Sequence, residues 1–249
     1  MARLNPAPQR HGHRRVALFA AVVVAVIAAL VMWDRHRADT RQSGPSPTWT
    51  PTPTGSAGPT PAFDRARAQL SALQVKGWDR TQDFQRWRFG KAWSDDVNVE
   101  FGHNGCNTRD DILRRDLANL VVRPGTCYAQ TGTLHDPYTG ATIDFVRGPD
   151  TSNSIEIDHV VSLADAWYKG ARSWDPQRRL DFANDPRNLL AVSPKANFDK
   201  AFRDAASWLP PNAAFRCDFV ARQVNVKSAY GLWLSAKEEQ VMAKVLARC

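Results

Sequence analysis

Eighteen consecutive apolar residues run from Val16 to Trp33. No face of this run is polar, so it does not suit the surface-core boundary of a soluble domain. As a helix it would be about 27 Å long, close to the hydrocarbon thickness of a bilayer. Arg10, Arg14 and Arg15 precede it, and Asp34, Arg35 and Arg37 follow. The heavier positive flank is N-terminal, which keeps residues 1–15 in the cytoplasm as a basic tail and carries the rest of the chain across the membrane. The run is long for a signal-peptide core, and no small-x-small cleavage pattern follows it. A single-pass signal anchor over 16–33 is therefore expected, with a secreted protein as the outcome if the segment is cleaved.

Residues 34–62 read as a linker. Ser43–Pro61 holds six Pro, five Thr, three Ser and three Gly among 19 residues, a composition that builds a stiff stalk and no core. The folded domain is expected over 63–249. Charge divides the same way. Seven Arg and two Asp lie in residues 1–62, and 26 Lys and Arg face 23 Asp and Glu in 63–249, so only +3 of the net +8 belongs to the domain. That is weak support for a nucleic-acid partner. Export gives the four cysteines a meaning. Cys106, Cys127, Cys217 and Cys249 all lie beyond the apolar run, and an even number in an oxidising compartment points to two disulfides. Four cysteines allow three pairings. Sequence proximity favours Cys106–Cys127 and Cys217–Cys249. A metal site using His103-x-x-Cys106 lacks a second close pair to complete it.

Within the domain, Phe63, Ala66, Leu70 and Leu73 recur at helical spacing. Thr108-x-x-Asp111 reads as a capping pattern opening a helix with Ile112, Leu113, Leu117 and Leu120 as its stripe. "GTLHDPYTGATIDFVRG" reads as a β-hairpin turning at Asp136–Gly140. A loop over 148–154 leads to a short strand, "IEIDHV". A helical insertion, "SLADAWYKGARSW" and "DPQRRLDFANDP", separates it from a second strand, "NLLAVS". Pro194 then starts a helix, a position proline favours, and that helix carries Asn197, Lys200 and Arg203. A possible strand at 216–226 and a last helix with the capping box Ser235-x-x-Glu238 complete the chain. The tryptophans are expected to fill the core. Arg109 and Arg147 are expected in salt bridges, and His103 and His135 in loops.

The middle is thus strand, insertion, strand, helix, and it holds the residues with chemistry. Asp158 and His159 stand side by side at a strand end. Asn188 opens the next strand, and Asn197 lies one turn into the helix. On a regular strand adjacent side chains point to opposite faces, so Asp158 and His159 serve one site only if the strand ends or twists there. Glu156 is a second candidate carboxylate.

"IDHVV…NDPRNLLAVSPKANFDK" resembles the HNH, or His-Me finger, nuclease motif, with Asn in place of the last His. With "FGKAW", "GCNTRDDILRRDL", "DPYTG", "IDHVVSLADAWYKGA", "FANDPRNLLAV" and "WLPP", most of 63–249 resembles secreted bacterial HNH-type proteins related to the C-terminal domain of GmrSD-type restriction endonucleases. The related restriction family carries a proline three residues after its histidine, where this chain has Ser162. Asn107 stands where an acid is expected in the group.

The resemblance implies an α+β domain with a ββα-metal core, added helices and a β-hairpin, placed behind the N-terminal transmembrane helix. It implies a metal-dependent endonuclease, with His159 as general base and Asp158 and Asn197 as ligands of one divalent metal. Asn188 would orient the histidine or its loop, and the products would carry 5′-phosphates. Lys200 and Arg203, by charge and spacing, are expected at phosphate. Asp and Asn offer only oxygen, which favours Mg²⁺, then Mn²⁺ or Ca²⁺, over a closed Zn²⁺ site. Double-stranded DNA is the favoured substrate, with little sequence preference because no recognition module stands beside the nuclease core; RNA is the other, and no obligate protein partner is evident. The alternative is a non-catalytic extracellular domain that binds nucleic acid on an HNH scaffold.

Overall fold

A computed structural model describes residues 61–249; the apolar run expected over 16–33 and all but the last two residues of the linker expected over 34–62 lie outside the described residues, and Pro61 and Ala62 open the first helix instead of ending the linker. The first helix, α1 (Pro61–Ala72), buries Ala66 and Leu70 at the expected spacing. Helix α2 (Thr108–Asp116) leads into a three-stranded antiparallel sheet of β1 (Leu117–Val122), β2 (Ala129–His135) and β3 (Thr142–Val146). The β2–β3 turn closes with Gly140 at φ 77°, and the Gly140 amide donates to the Asp136 carbonyl.

A separate two-stranded ribbon pairs β4 (Glu156–His159) antiparallel with β5 (Leu189–Val192), in register from Glu156 opposite Val192 to His159 opposite Leu189. The insertion between them contains α3 (Leu163–Tyr168) and α4 (Pro176–Asn184). Helix α5 (Pro194–Lys200) follows β5 after one residue, and Ser193 caps it by accepting from the Ala196 amide. Helices α6 (Arg216–Tyr230) and α7 (Ala236–Leu246) close the chain. The fold is α+β with small antiparallel sheets. Among the described residues no helix is long and apolar enough to cross a membrane.

The ribbon is buried on both faces, which is why "LLAV" is an unbroken apolar run. Alternation sends Ile157, Leu189 and Ala191 into a cluster with Ile112, Leu113, Leu134 and Phe145. It sends Leu190 and Val192 the other way, against Phe219, Val224, Leu234, Met242 and Leu246. A third cluster, around Phe89, Trp167, Phe182 and Tyr230, packs the insertion. The ribbon end that carries Asp158 and His159 is thereby clamped between cores.

Both disulfides join the pairs that sequence proximity favours. Cys106–Cys127 ties the turn before α2 to the β1–β2 connection, and Cys217–Cys249 ties the first turn of α6 to the residues after α7. Ser235 and Glu238 form the expected capping box.

Five expectations change. His135, expected in a loop, ends β2 opposite Thr142. The cap of α2 is Asn107, whose Oδ1 accepts from the Asp110 amide at 3.0 Å, whereas the Thr108 hydroxyl donates to the Ser94 carbonyl. The helix also stops at Asp116. Leu117 is extended and pairs with Leu134, so Leu117 and Leu120 belong to β1. Residues 216–226 are helical, not a strand. Val220, Val224 and Val226 suggested β structure, but the buried positions Phe219, Val220, Gln223, Val224, Lys227 and Tyr230 follow the helical period. Trp87 is 68% exposed and fills no core.

Candidate active site

The ribbon end, the start of α3, α5 and the segment around Trp93 enclose an open cleft of about 560 Å³. Its walls bring together Glu156, Asp158, His159 and Asn197. β4 ends at His159, and this lets two adjacent side chains border one cleft despite strand alternation. Asn188 does not border it. Buried beside it, Asn188 accepts from the Val161 amide at 2.8 Å, donates to the Val161 carbonyl at 3.1 Å, and receives the Val160 amide on its own carbonyl. It fixes the backbone immediately after His159.

His159 is held on two sides. Its ring lies 5.9 Å from that of Trp93 at an interplanar angle of 12°, and its Nε2 is 2.8 Å from the Ala183 carbonyl. A carbonyl can only accept, so Nε2 carries the hydrogen of the neutral ring and Nδ1 keeps the free lone pair. Burial lowers the imidazole pKa to about 3, and the charges of Arg86 and Lys200 act the same way against the pull of the Ala183 carbonyl. The ring is neutral throughout the physiological range. Trp93 sits at φ 55°, and the neighbouring Ser94 amide is tied to Asn184 Oδ1 at 3.0 Å, which fixes the stacking partner to α4.

Asp158 is enclosed. One carboxylate oxygen takes the Lys200 ammonium at 2.9 Å and the other takes the Tyr138 hydroxyl at 2.6 Å. Burial raises its carboxyl above the usual range, with Lys200 and the two donated hydrogen bonds opposing. Lys200 is 0% exposed and also donates to the His159 carbonyl at 2.8 Å. It is therefore a counter-ion inside the wall, and the expected phosphate contact by Lys200 is corrected: its ammonium does not reach solvent. Arg203 lies beyond the end of α5, exposed, with its guanidinium on the Asp199 carbonyl. Glu156 and Asn197 stay half-buried on the cleft wall, joined by a 2.7 Å hydrogen bond from Asn197 Nδ2.

Arg109 lines the cleft too, but donates to the Ser152 and Ile155 carbonyls rather than to a carboxylate, whereas Arg147 pairs with Asp110 as expected. Trp93, Tyr138, Arg86 and the Ala183 carbonyl went unnoticed in the sequence. Tyr138 lies within "DPYTG", a phrase that marks a turn and the family resemblance but gives its tyrosine no role. Ser162, at the position where the resemblance led to a proline being expected, caps α3 by accepting from the Asp165 amide and donates to the Phe202 carbonyl. Asn107, where an acid was expected, is the α2 cap.

A second acidic group lies away from the cleft. Asp165, Asp204 and Glu238 are buried with oxygens within 4.8 Å of one another, a spacing that could hold a cation. That position is taken by protein. Lys169 Nζ is 2.5 Å from Asp165, 2.8 Å from Asp204 and 2.6 Å from Glu238, and Lys227 Nζ is 2.6 Å from Asp165 and 2.9 Å from Glu238. Two ammonium groups do the neutralising there; Asp158 in the cleft is likewise paired with Lys200, which leaves Glu156 and Asn197 as the cleft's oxygen donors with no ammonium partner among the described residues.

An acid and a histidine at the end of an antiparallel ribbon, with an amide returning on the next helix, define an HNH-like domain. Residues 107–245 match the model of the family described as GmrSD restriction endonucleases, C-terminal domain, and the chain belongs to that family. It is also 33% identical over 202 residues to a protein of Arthroderma benhamiae described as "Uncharacterized secreted protein", covering 80% of this chain and 92% of that one. No solved structure matches.

Proposed function

We propose that the domain over 63–249, with a ββα-metal core of β4, β5 and α5, is an exported endonuclease hydrolysing phosphodiester bonds, of DNA in preference to RNA. It would work outside the cytoplasm, tethered through 16–33 or released by cleavage. The two disulfides and the secreted relative support that compartment. The carrying observation is the state of His159: Nε2 is committed to the Ala183 carbonyl, which leaves Nδ1 as a free base on a cleft wall with three oxygen-bearing side chains.

In this reading His159 Nδ1 takes the proton of the attacking water. Its low pKa keeps that nitrogen unprotonated at neutral pH, and the negative charge of a bound phosphate raises its basicity when substrate arrives. Asn188 holds the backbone that aims the ring. Lys200 and Tyr138 hold the Asp158 carboxylate in one orientation, and Arg203 meets a phosphate at the cleft's edge. Asp158 and Asn197, with Glu156 alongside, would hold a hard divalent cation, Mg²⁺ first and Mn²⁺ or Ca²⁺ next; the oxygen-only donor set fits such an ion. Bound there, it would stabilise charge on the phosphate and on the leaving oxygen.

The test is plasmid nicking by the purified protein with Mg²⁺, with EDTA, and with His159→Ala. Nicking that needs the cation and drops at least a hundredfold in His159→Ala is expected, given the usual 10²–10⁴-fold of a general base. An equally active His159→Ala would overturn the assignment.

A further inference from the structure

Two phenylalanines stand where a soluble domain has least reason to expose them. Phe198 is 83% exposed and Phe202 62% exposed, and both border the cleft that holds His159, Glu156 and Asn197. Apolar residues scattered singly over a surface are ordinary, but two of the most exposed large ones on the rim of a single polar cleft are not scattered. Phe198 follows Asn197 directly on α5. Phe202 lies past the end of the helix, where Ala201 at φ 49° turns the chain, and the Phe202 carbonyl is held by the Ser162 hydroxyl at 3.2 Å. Left-handed backbone costs a residue with a side chain of order 1 kcal/mol or more and persists where the surroundings enforce it. The backbone that carries Phe202 is thus held by the fold, and Phe198 sits within α5.

The charges around it identify the occupant. Arg86 and Arg109 line the same cleft alongside Glu156 and an Asp158 already neutralised by Lys200, and exposed Arg203 follows Phe202 by one residue. A partner that meets cations in the cleft and flat apolar rings at its rim is anionic along its backbone and aromatic in its side groups. A single nucleic-acid strand has that chemistry, since every base has a face to stack and every linkage a charge. A closed duplex keeps its base faces inside the stack and offers the phenylalanines only sugar edges.

We propose that Phe198 and Phe202 stack unpaired bases on either side of the scissile phosphate, so that the enzyme acts on single-stranded or locally opened nucleic acid. This rests on the nuclease reading of the cleft and names its substrate class. The two side chains bind; they do not touch the reacting atoms.

The experiment measures binding of a fluorescent single-stranded oligothymidylate and of a hairpin duplex to the full chain, in a His159→Ala background that prevents cleavage. Phe198→Ala and Phe202→Ala should each weaken single-strand binding about tenfold, within the range of base–aromatic stacking, and change duplex binding little. Trp at either position should keep the affinity and Leu should not, because Leu is apolar without a ring face. Full affinity with Leu would show mere apolar contact, and equal losses on both ligands would show a backbone effect; either result overturns the proposal. A wild-type protein that nicks duplex and ignores both phenylalanine changes would defeat the stacking alone. One that neither binds nor cuts any nucleic acid would defeat the nuclease reading with it.

Discussion

Replacing Asp158 with Asn separates two roles that one carboxylate can play. The wild-type side chain is 5% exposed and answers two donors, the Lys200 ammonium at 2.9 Å and the Tyr138 hydroxyl at 2.6 Å. The amide is nearly isosteric and keeps an oxygen for one donor. Among the described residues it removes the only carboxylate paired with Lys200, whose ammonium is 0% exposed and would be left with the His159 carbonyl. Breaking one side of a buried ion pair typically costs about 3–5 kcal/mol. At roughly 2–4 °C per kcal/mol for a domain of this size, Asp158→Asn should melt about 10 °C below wild type. Adding Lys200→Met removes the stranded charge, so the double variant should recover most of that loss, as apolar replacements of buried pairs commonly do. Thermal and urea denaturation of the two single variants and the double variant close the cycle. If Asp158→Asn melts within about 2 °C of wild type, a shift below that expected for 1 kcal/mol, the enclosed pair is not the counter-ion contact described here. Nicking by the double variant adds the second role: if its activity equals wild type, Asp158 is no metal ligand.

Two further outcomes follow from the same coordinates. His159 has its pKa lowered to about 3 in the fold, against about 6.5 in an unfolded chain, so its contribution to stability is complete above pH 6.5 and is lost as pH falls from there towards 3. The unfolding free energies of wild type and His159→Gln, taken from urea denaturation, should draw together at about 1.4 kcal/mol per pH unit below that point, and parallel pH curves would contradict a buried neutral ring. Cys217 and Cys249 close a loop of sequence separation 32, worth about 3–4 kcal/mol by the chain-entropy relation. Cys217→Ser with Cys249→Ser should lose that much in urea denaturation, and a loss under about 1 kcal/mol would mean the bridge constrains little.

Much of the fold was legible because its signals are local. The first helix, the β2–β3 hairpin, the capping box at Ser235 and the strand–insertion–strand–helix order all follow from spacing and turn chemistry. Two of the misreadings share one cause. Valines in α6 and leucines after Asp116 have local preferences that pairing partners far along the chain overrule. The candidate site was half legible. Asp158, His159, Asn188 and Asn197 stand in a short recognisable order, and the structure brings three of them to one cleft. Lys200 carried the right charge in the right helix, but nothing in its neighbours revealed that it points inward at Asp158, forty-two positions back. Tyr138 and Trp93 were illegible for the same reason: each meets its partner only through the folded core.

The ribbon at the centre of the cleft has an unusual connection for an antiparallel pair. His159 faces Leu189 across the hydrogen bonds, yet the chain travels through two helices to get from one to the other. Pairing of this kind forms late, because a long loop must be ordered before its ends meet. Glu156 and Asn197, 41 positions apart, become neighbours only then. A chain in which the ribbon has not yet paired therefore carries these side chains and no cleft. A nuclease built in this way would acquire its site only at the moment the ribbon closes.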